Sequence, residues 1–172
     1  MINNNDILRR VRYIFDFSDP LMLKLFKLGG YEASKAELLT WLAREGEAEF
    51  VLCEDVNLAR FLNGLIIKNR GAKGDYPAET VLNNNMVLRK LKIALNLQAD
   101  DFLELLKLNG FTLSKHELSA LFRRSDHKNY RKCKDQLLRN VLDGMEKRYR
   151  KKQNNGFQYK IPQSNNTKPE QK

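Results

Sequence analysis

The sequence predicts an all-α protein made of two similar four-helix repeats packed together, followed by a disordered basic tail. Residues 3–70 align without a gap with residues 83–150 at an offset of 80, with 21 identities in 68 positions. Apolar residues recur at the helical period in both copies, and no segment shows the alternation of a strand. Because self-similarity at a fixed period indicates duplicated architecture, the shared positions are expected to be scaffold. Function is therefore to be sought where the copies differ.

The chain of 172 residues is predicted to divide into four parts: repeat 1 (1–70), a linker (71–82), repeat 2 (83–150) and a tail (151–172). A unit of 68 residues is near the lower limit for folding alone, so the repeats are expected to pack on each other. The tail is dense in Asn, Gln, Lys and Pro without an apolar period, which predicts disorder.

The first two helices of each copy are marked by residues that favour helix starts. The asparagines at 3–5 and 83–85 offer an N-cap, because an Asn side chain can accept from the free amides of the first turn. Ser18-Asp19-Pro20 predicts the start of the second helix, since proline is tolerated in the first turn. In repeat 2, Asp100 or Asp101 is predicted to open the equivalent helix.

Glycines and capping boxes predict where the second helix of each copy ends and where the third and fourth helices lie. Gly30 and Gly110 predict left-handed ends of the second helix. A Ser and a Glu three residues apart, which satisfy each other's backbone amides, predict the start of the third helix: Ser34 with Glu37 and Ser114 with Glu117. The fourth helix is predicted from about Cys53 to Lys68. Gly64 and Gly144 lie inside the fourth helices, where glycine is unfavourable, which predicts close approach of a neighbouring helix.

The net charge of +10 is divided unequally along the chain. Repeat 1 is neutral, repeat 2 carries +7, the linker −1 and the tail +4. All of the basic excess therefore lies in the second copy and the tail. Such asymmetry suggests an anionic partner, either nucleic acid or a membrane surface.

The two copies differ most in the segment after their third helix. Residues 43–54 carry −3 and residues 123–134 carry +5, while Tyr130 takes the place of Phe50 and is predicted to pack. A cluster of cations can neutralise phosphates and release their counterions, which favours nucleic-acid binding. The predicted binding residues are Arg123, Arg124, Lys128, Arg131, Lys132 and Lys134. We call residues 123–134 the basic segment and residues 43–54 the acidic segment.

Other interpretations of these features stay open. The acidic and basic segments can pair within the chain or across a homodimer, or the basic segment can simply be solvated. The second and third helices of each copy also resemble a helix-turn-helix, but the third helix lacks a run of base-reading side chains. The cations on the first helices (Arg9, Arg10, Arg12 and Arg89, Lys90, Lys92) lie opposite the apolar stripe and are interpreted as an ordinary solvated face.

Catalytic, metal-binding and membrane functions find no support in the residues. The chain contains no Gly-x-Ser-x-Gly, P-loop or His-Glu-x-x-His motif, and His116 and His127 are its only histidines. Cys53 and Cys133 are interpreted as reduced, buried residues of a cytoplasmic protein. No apolar run approaches the ~20 residues that span a bilayer. We therefore expect no enzymatic activity, no cofactor, no metal and no membrane association.

Several segments resemble the YehS-like family of bacterial proteins, a tandem domain of unknown function. The matching segments are 4–10, 61–66, 83–95, 113–120 and 133–140. The resemblance covers about residues 2–150 and implies a bacterial cytoplasmic protein with duplicated helical domains. It implies no activity or catalytic residues. We therefore predict a non-enzymatic, regulatory protein that binds DNA or RNA through the basic segment, with a homodimer or protein-interaction module as the alternative.

Overall fold

A computed structural model describes residues 2–72 and 76–150, and its regular structure consists of helices. Repeat 1 contains α1 (Asn4–Phe15), α2 (Asp19–Leu28), α3 (Lys35–Leu42) and α4 (Asp55–Arg70). Repeat 2 contains α5 (Asn84–Leu95), α6 (Ala99–Lys107), α7 (Lys115–Leu121) and α8 (Asp135–Met145), and a π-helical turn, Glu146–Arg150, continues α8. The described residues contain no strand. The prediction of an all-α protein with two helical repeats is confirmed, whereas the predicted tail disorder concerns residues outside the described part.

Most of the predicted helix ends are found in the structure. Asn3 and Asn83 cap α1 and α5, and the boxes at Ser34 and Ser114 cap α3 and α7. Two boundaries differ. Helix α6 begins at Ala99, before either predicted aspartate. The carboxylate of Asp101 accepts from the backbone N–H of Gln98, the N-cap residue, at 2.7 Å, and so acts from the third position of the helix. Helix α4 runs from Asp55 to Arg70, two residues later than predicted at both ends.

One apolar core runs through both repeats. Phe26 lies at its centre in repeat 1, with its ring 5.2 Å from that of Trp41 and 5.3 Å from that of Phe61, measured between centroids. The predicted close approach at the glycines is confirmed. A Cβ on Gly64 would lie 1.7 Å from the carbonyl oxygen of Leu25, and α8 and α6 meet in the same way at Gly144.

The repeats exchange equivalent contacts across a pseudo-twofold axis. The amide of Ile2 donates to Asp135 at 3.3 Å, and the amide of Leu82 donates to Asp55 at 2.8 Å. The two contacts are equivalent, because Ile2 and Leu82 are 80 residues apart, and so are Asp55 and Asp135. Each repeat thus secures the segment that leads into the first helix of the other, which explains why units this small are packed as a pair.

For two of the six basic side chains on the first helices, the interpretation as a solvated face was wrong. Arg10 forms an ion pair with Asp143 of α8. At the equivalent place, Lys90 is only 8% exposed and donates to Asn63 of α4. The apolar period of α1 and α5 shows which side faces its own repeat, but the other repeat covers part of the opposite side, at Arg10 and Lys90.

Candidate nucleic-acid interface

The basic segment is attached to α5 through the buried side chain of Asn85. Its amide nitrogen donates to the carbonyl oxygens of Leu121 and Arg131, both at 2.8 Å, and its amide oxygen accepts from the backbone N–H of Cys133 at 2.8 Å. These three bonds use most of the hydrogen-bonding capacity of the side chain and hold both ends of the segment. Asn5 makes the same three bonds in repeat 1 at 2.8–2.9 Å. The backbone frame is therefore shared by the two copies.

The frame presents most of the predicted binding residues to solvent. Arg124, Lys128, Arg131, Lys132 and Lys134 are exposed, whereas Arg123 is half-buried. Within the described residues, the three lysines form no ion pair. Their ammonium groups are therefore available to an external anion.

The arginines of the segment have local partners. Arg124 pairs with Asp126 at 2.9 Å, and both side chains are largely exposed. Arg131 pairs with Glu117 at 3.2 Å. Hydrogen bonds from Ser114 are the main cause of the lowered pKa of Glu117, with Arg131 a smaller one. Exposed ion pairs of this kind contribute little to stability, so a phosphate can replace the carboxylate at small cost.

The acidic segment does not neutralise the basic one within the chain. Its exposed carboxylates are Glu45, Glu47, Glu49 and Glu54. Across residues 2–72 and 76–150, no ion pair joins them to residues 123–134. The pairing of the two segments inside one chain thus finds no support, and only the intermolecular form of that interpretation remains.

A groove of about 350 Å³ adjoins the basic segment and adds a cation that the sequence analysis had set aside. Arg123, Arg124 and Tyr130 line one side, and Arg89 of α5 lines the other. Tyr130 is half-buried, as Phe50 is in repeat 1. Arg89 donates to the carbonyl oxygen of Phe122 at 2.8 Å, which holds its guanidinium beside the segment.

The groups with intrinsic chemical reactivity do not converge on this surface. Burial raises the pKa of both Cys53 and Cys133 to about 12, so neither thiol is a nucleophile near neutral pH. His116 and His127 are exposed. Within the described part of the chain, no group of His, Cys, Asp and Glu is arranged to hold a metal ion. In the same part, no helix is long and apolar enough to cross a membrane.

The fold and the surface define a class of protein: two tandem helical repeats share the same backbone arrangement, and the second repeat is strongly basic. Residues 4–71 and 84–151 match the family described as "Protein of unknown function (DUF1456)", and the chain belongs to this family. It is 43% identical over 145 residues to the "Uncharacterized protein YehS" of Escherichia coli K12, covering 83% of this chain and 93% of that protein. The predicted resemblance is thus confirmed. No solved structure matches significantly.

Proposed function

We propose that this protein is a non-enzymatic nucleic-acid-binding protein, and that the basic segment contacts the phosphate backbone. The observation that carries the proposal is the reversal of charge, from −3 to +5, on a backbone frame held identically in the two copies. Packing does not require most of these cations, because repeat 1 builds the same frame with only one of them kept, Arg44 at the position equivalent to Arg124. The exposed side chains of Lys128, Lys132 and Lys134 supply charge without neutralising partners among the described residues.

Phosphate contacts have a measurable signature, which is the dependence of affinity on salt. If about four phosphates are neutralised, the logarithm of the binding constant falls with the logarithm of salt concentration with a slope near −3.6 for duplex DNA. For a single strand the slope per phosphate is smaller, about −0.7. Titrations of the full chain with labelled duplex DNA and single-stranded RNA, over a series of salt concentrations, therefore measure the number of contacts and compare the two ligands.

A charge-reversal variant tests whether the basic segment is the binding surface. Glu is introduced at four exposed positions: Arg124, Lys128, Lys132 and Lys134. The matched control reverses four exposed cations on helices α2, α3 and α6: Lys24, Lys27, Lys35 and Lys107. Both variants change the net charge by the same amount, so only a local contact separates them. We expect the first variant to lose binding and the control to keep most of it. Absence of binding by the wild type at low salt, or equal loss in both variants, would contradict the proposal.

A second function, protein interaction, is supported by the surface of repeat 1 that corresponds to the basic one. Leu39 of α3 is 50% exposed there, and Val51 and Leu52, which lie within the acidic segment, are 51% and 59% exposed. Apolar residues rimmed by charge are typical of protein interfaces. The basic segment of a second copy has the complementary charge.

A charge exchange separates the protein-interaction function from nucleic-acid binding. If two copies associate through these segments, Glu47→Lys and Lys128→Glu should each weaken self-association in sedimentation velocity, and the double variant should restore it. A wild-type chain that sediments as a monomer at all accessible concentrations would exclude the homodimer.

A further inference from the structure

Two equivalent crevices lie where the end of one repeat's fourth helix meets the first helix of the other repeat. Each has a volume of about 350 Å³. The residues that line the crevice on α1 reappear, at an offset of 80, on α5. The cations of the α1 crevice are Arg9, Arg12 and Arg150, and those of the α5 crevice are Arg89, Lys92 and Arg70. The last arginine of each set comes from the other repeat.

In the α1 crevice, the cations are matched by three carboxylates. Arg9 pairs with Asp6, and Arg12 pairs with Asp19 at 2.7 Å. Asp16 lines the crevice itself. The crevice with its immediate partners is therefore neutral. Its third cation, Arg150, is also engaged, because its guanidinium lies 3.5 Å from the centre of the Tyr13 ring and donates to the Tyr13 carbonyl oxygen.

In the α5 crevice the cations are kept and the carboxylates are gone. The positions equivalent to the three aspartates hold Met86, Asn96 and Ala99. Among the described residues, no carboxylate pairs with Arg70, Arg89 or Lys92. The crevice thus carries three positive charges that repel one another, and an anion would relieve that repulsion.

Neighbouring groups hold two cations of the α5 crevice on the same side, next to Phe122. Lys92 is placed by the ring of Phe122, 4.7 Å from its centroid, and Arg89 by the Phe122 carbonyl oxygen. The exposed amides of Asn96 and Gln98 line the same crevice and can donate hydrogen bonds. Arg89 lines both this crevice and the groove beside the basic segment, so the two form one continuous basic track.

We propose that the α5 crevice binds phosphate groups of the nucleic acid that the basic segment contacts, so that the bound strand runs across Arg89 to Arg70 of repeat 1. This inference rests on the proposed function and adds a second, separate phosphate site. Arginine is well suited to the role, because its planar guanidinium binds phosphate oxygens through two parallel hydrogen bonds.

The test returns to repeat 2 the carboxylates that repeat 1 carries, in the variant Met86→Asp, Asn96→Asp, Ala99→Asp. Each aspartate is expected to fit, since the equivalent position in repeat 1 holds one. In particular, Asn96 and Asp16 share a left-handed φ of 53°, and Asp6 closes a capping box at the position equivalent to 86. The variant is therefore expected to unfold in urea at a midpoint no lower than that of the wild type.

A control with the same change of net charge separates local binding from general repulsion. It introduces Asp at three exposed positions of repeat 1: Pro20, Ala36 and Ala48. With labelled duplex DNA, we expect the crevice variant to bind more weakly and its log–log salt slope to become less steep by about 2, as for two lost phosphates. The control is expected to keep the wild-type slope. Arg70→Gln, a smaller change, should reduce the slope by about 1.

The outcomes distinguish the two proposals. If the crevice variant and Arg70→Gln keep the wild-type affinity and slope while the basic-segment variant loses binding, the crevice site is overturned and the proposed function stands. If the wild-type chain binds neither duplex DNA nor single-stranded RNA at about 50 mM salt, where phosphate contacts are strong, both are overturned. Equal effects of the crevice variant and its control would overturn the crevice site as well.

Discussion

Replacement of Asn85 by Ala should destabilise the protein strongly although it removes only a small polar group. The side chain is 5% exposed and makes three hydrogen bonds to backbone groups of residues 121, 131 and 133. Alanine cannot replace any of them. Two carbonyl oxygens and one N–H would lose their partners at a place where water reaches them poorly, and both ends of the basic segment would be released from α5.

The expected magnitude follows from counting these bonds. A hydrogen bond contributes about 1 kcal/mol net, and a buried group left without a partner costs about 1–3 kcal/mol. Three bonds, of which only the one to the Arg131 carbonyl oxygen is partly buried, give a loss of about 3–5 kcal/mol. Domains of this size have a total stability of about 5–15 kcal/mol, so the loss would be a large fraction of it.

Urea unfolding followed by circular dichroism measures this loss. Asn5→Ala provides an internal replicate, because the same three bonds are removed from repeat 1. Gln136→Ala is the control: among the described residues its exposed amide bonds only to Asn140, and its removal should change the free energy of unfolding by less than about 0.5 kcal/mol. A loss below about 1 kcal/mol for both Asn5→Ala and Asn85→Ala would refute the reasoning.

Three further predictions concern the scaffold. Gly144→Ala should cost about 2 kcal/mol in urea unfolding, because the new Cβ would lie 2.1 Å from a carbonyl oxygen of α6; an unchanged midpoint would contradict this. Cys53 and Cys133, whose pKa burial raises to about 12, should react with a thiol reagent at pH 8 only as fast as the protein opens, and a rapid reaction of the native protein would be inconsistent with their burial. The hydrogen bond from Asn84 holds the pKa of Asp135 below its usual 3.8. The ionised Asp135 carboxylate therefore stabilises the fold fully above pH 3.8, and this contribution is lost as the pH falls through the lower pKa of the folded state. The same loss should be absent in Asp135→Asn.

The sequence was sufficient for features that depend on local chemistry or on repetition. The capping boxes at Ser34 and Ser114 require residues only three positions apart, and the packing glycines were recognisable because both copies hold one at the same place. The asparagine run was only partly understood. It was interpreted as a set of caps, whereas Asn85 is a buried clamp whose partners lie 36–48 residues away. Partners at that distance depend on tertiary structure.

The candidate site was found in part for the same reason. Comparison of the copies located the basic segment, because charge reversal between aligned positions is visible in the sequence. The α5 crevice was missed, although its signal was also present: repeat 2 keeps the cations of the first helix but has neutral residues in place of Asp6, Asp16 and Asp19. That signal acquires meaning only when the structure shows which carboxylates neutralise which cations, and that Arg70 of the other repeat completes the set.

The pseudo-twofold arrangement explains why only one of two structurally similar repeats has a basic surface. The contact from Ile2 to Asp135 and its equivalent from Leu82 to Asp55 close the two repeats onto each other, so the interface constrains both copies alike. The outward surfaces carry no such constraint. A symmetric homodimer must repeat every substitution on both faces, whereas a covalent duplicate can change one. Because the neutral copy meets the structural requirements of the frame, the charge of the other copy is free to serve a ligand.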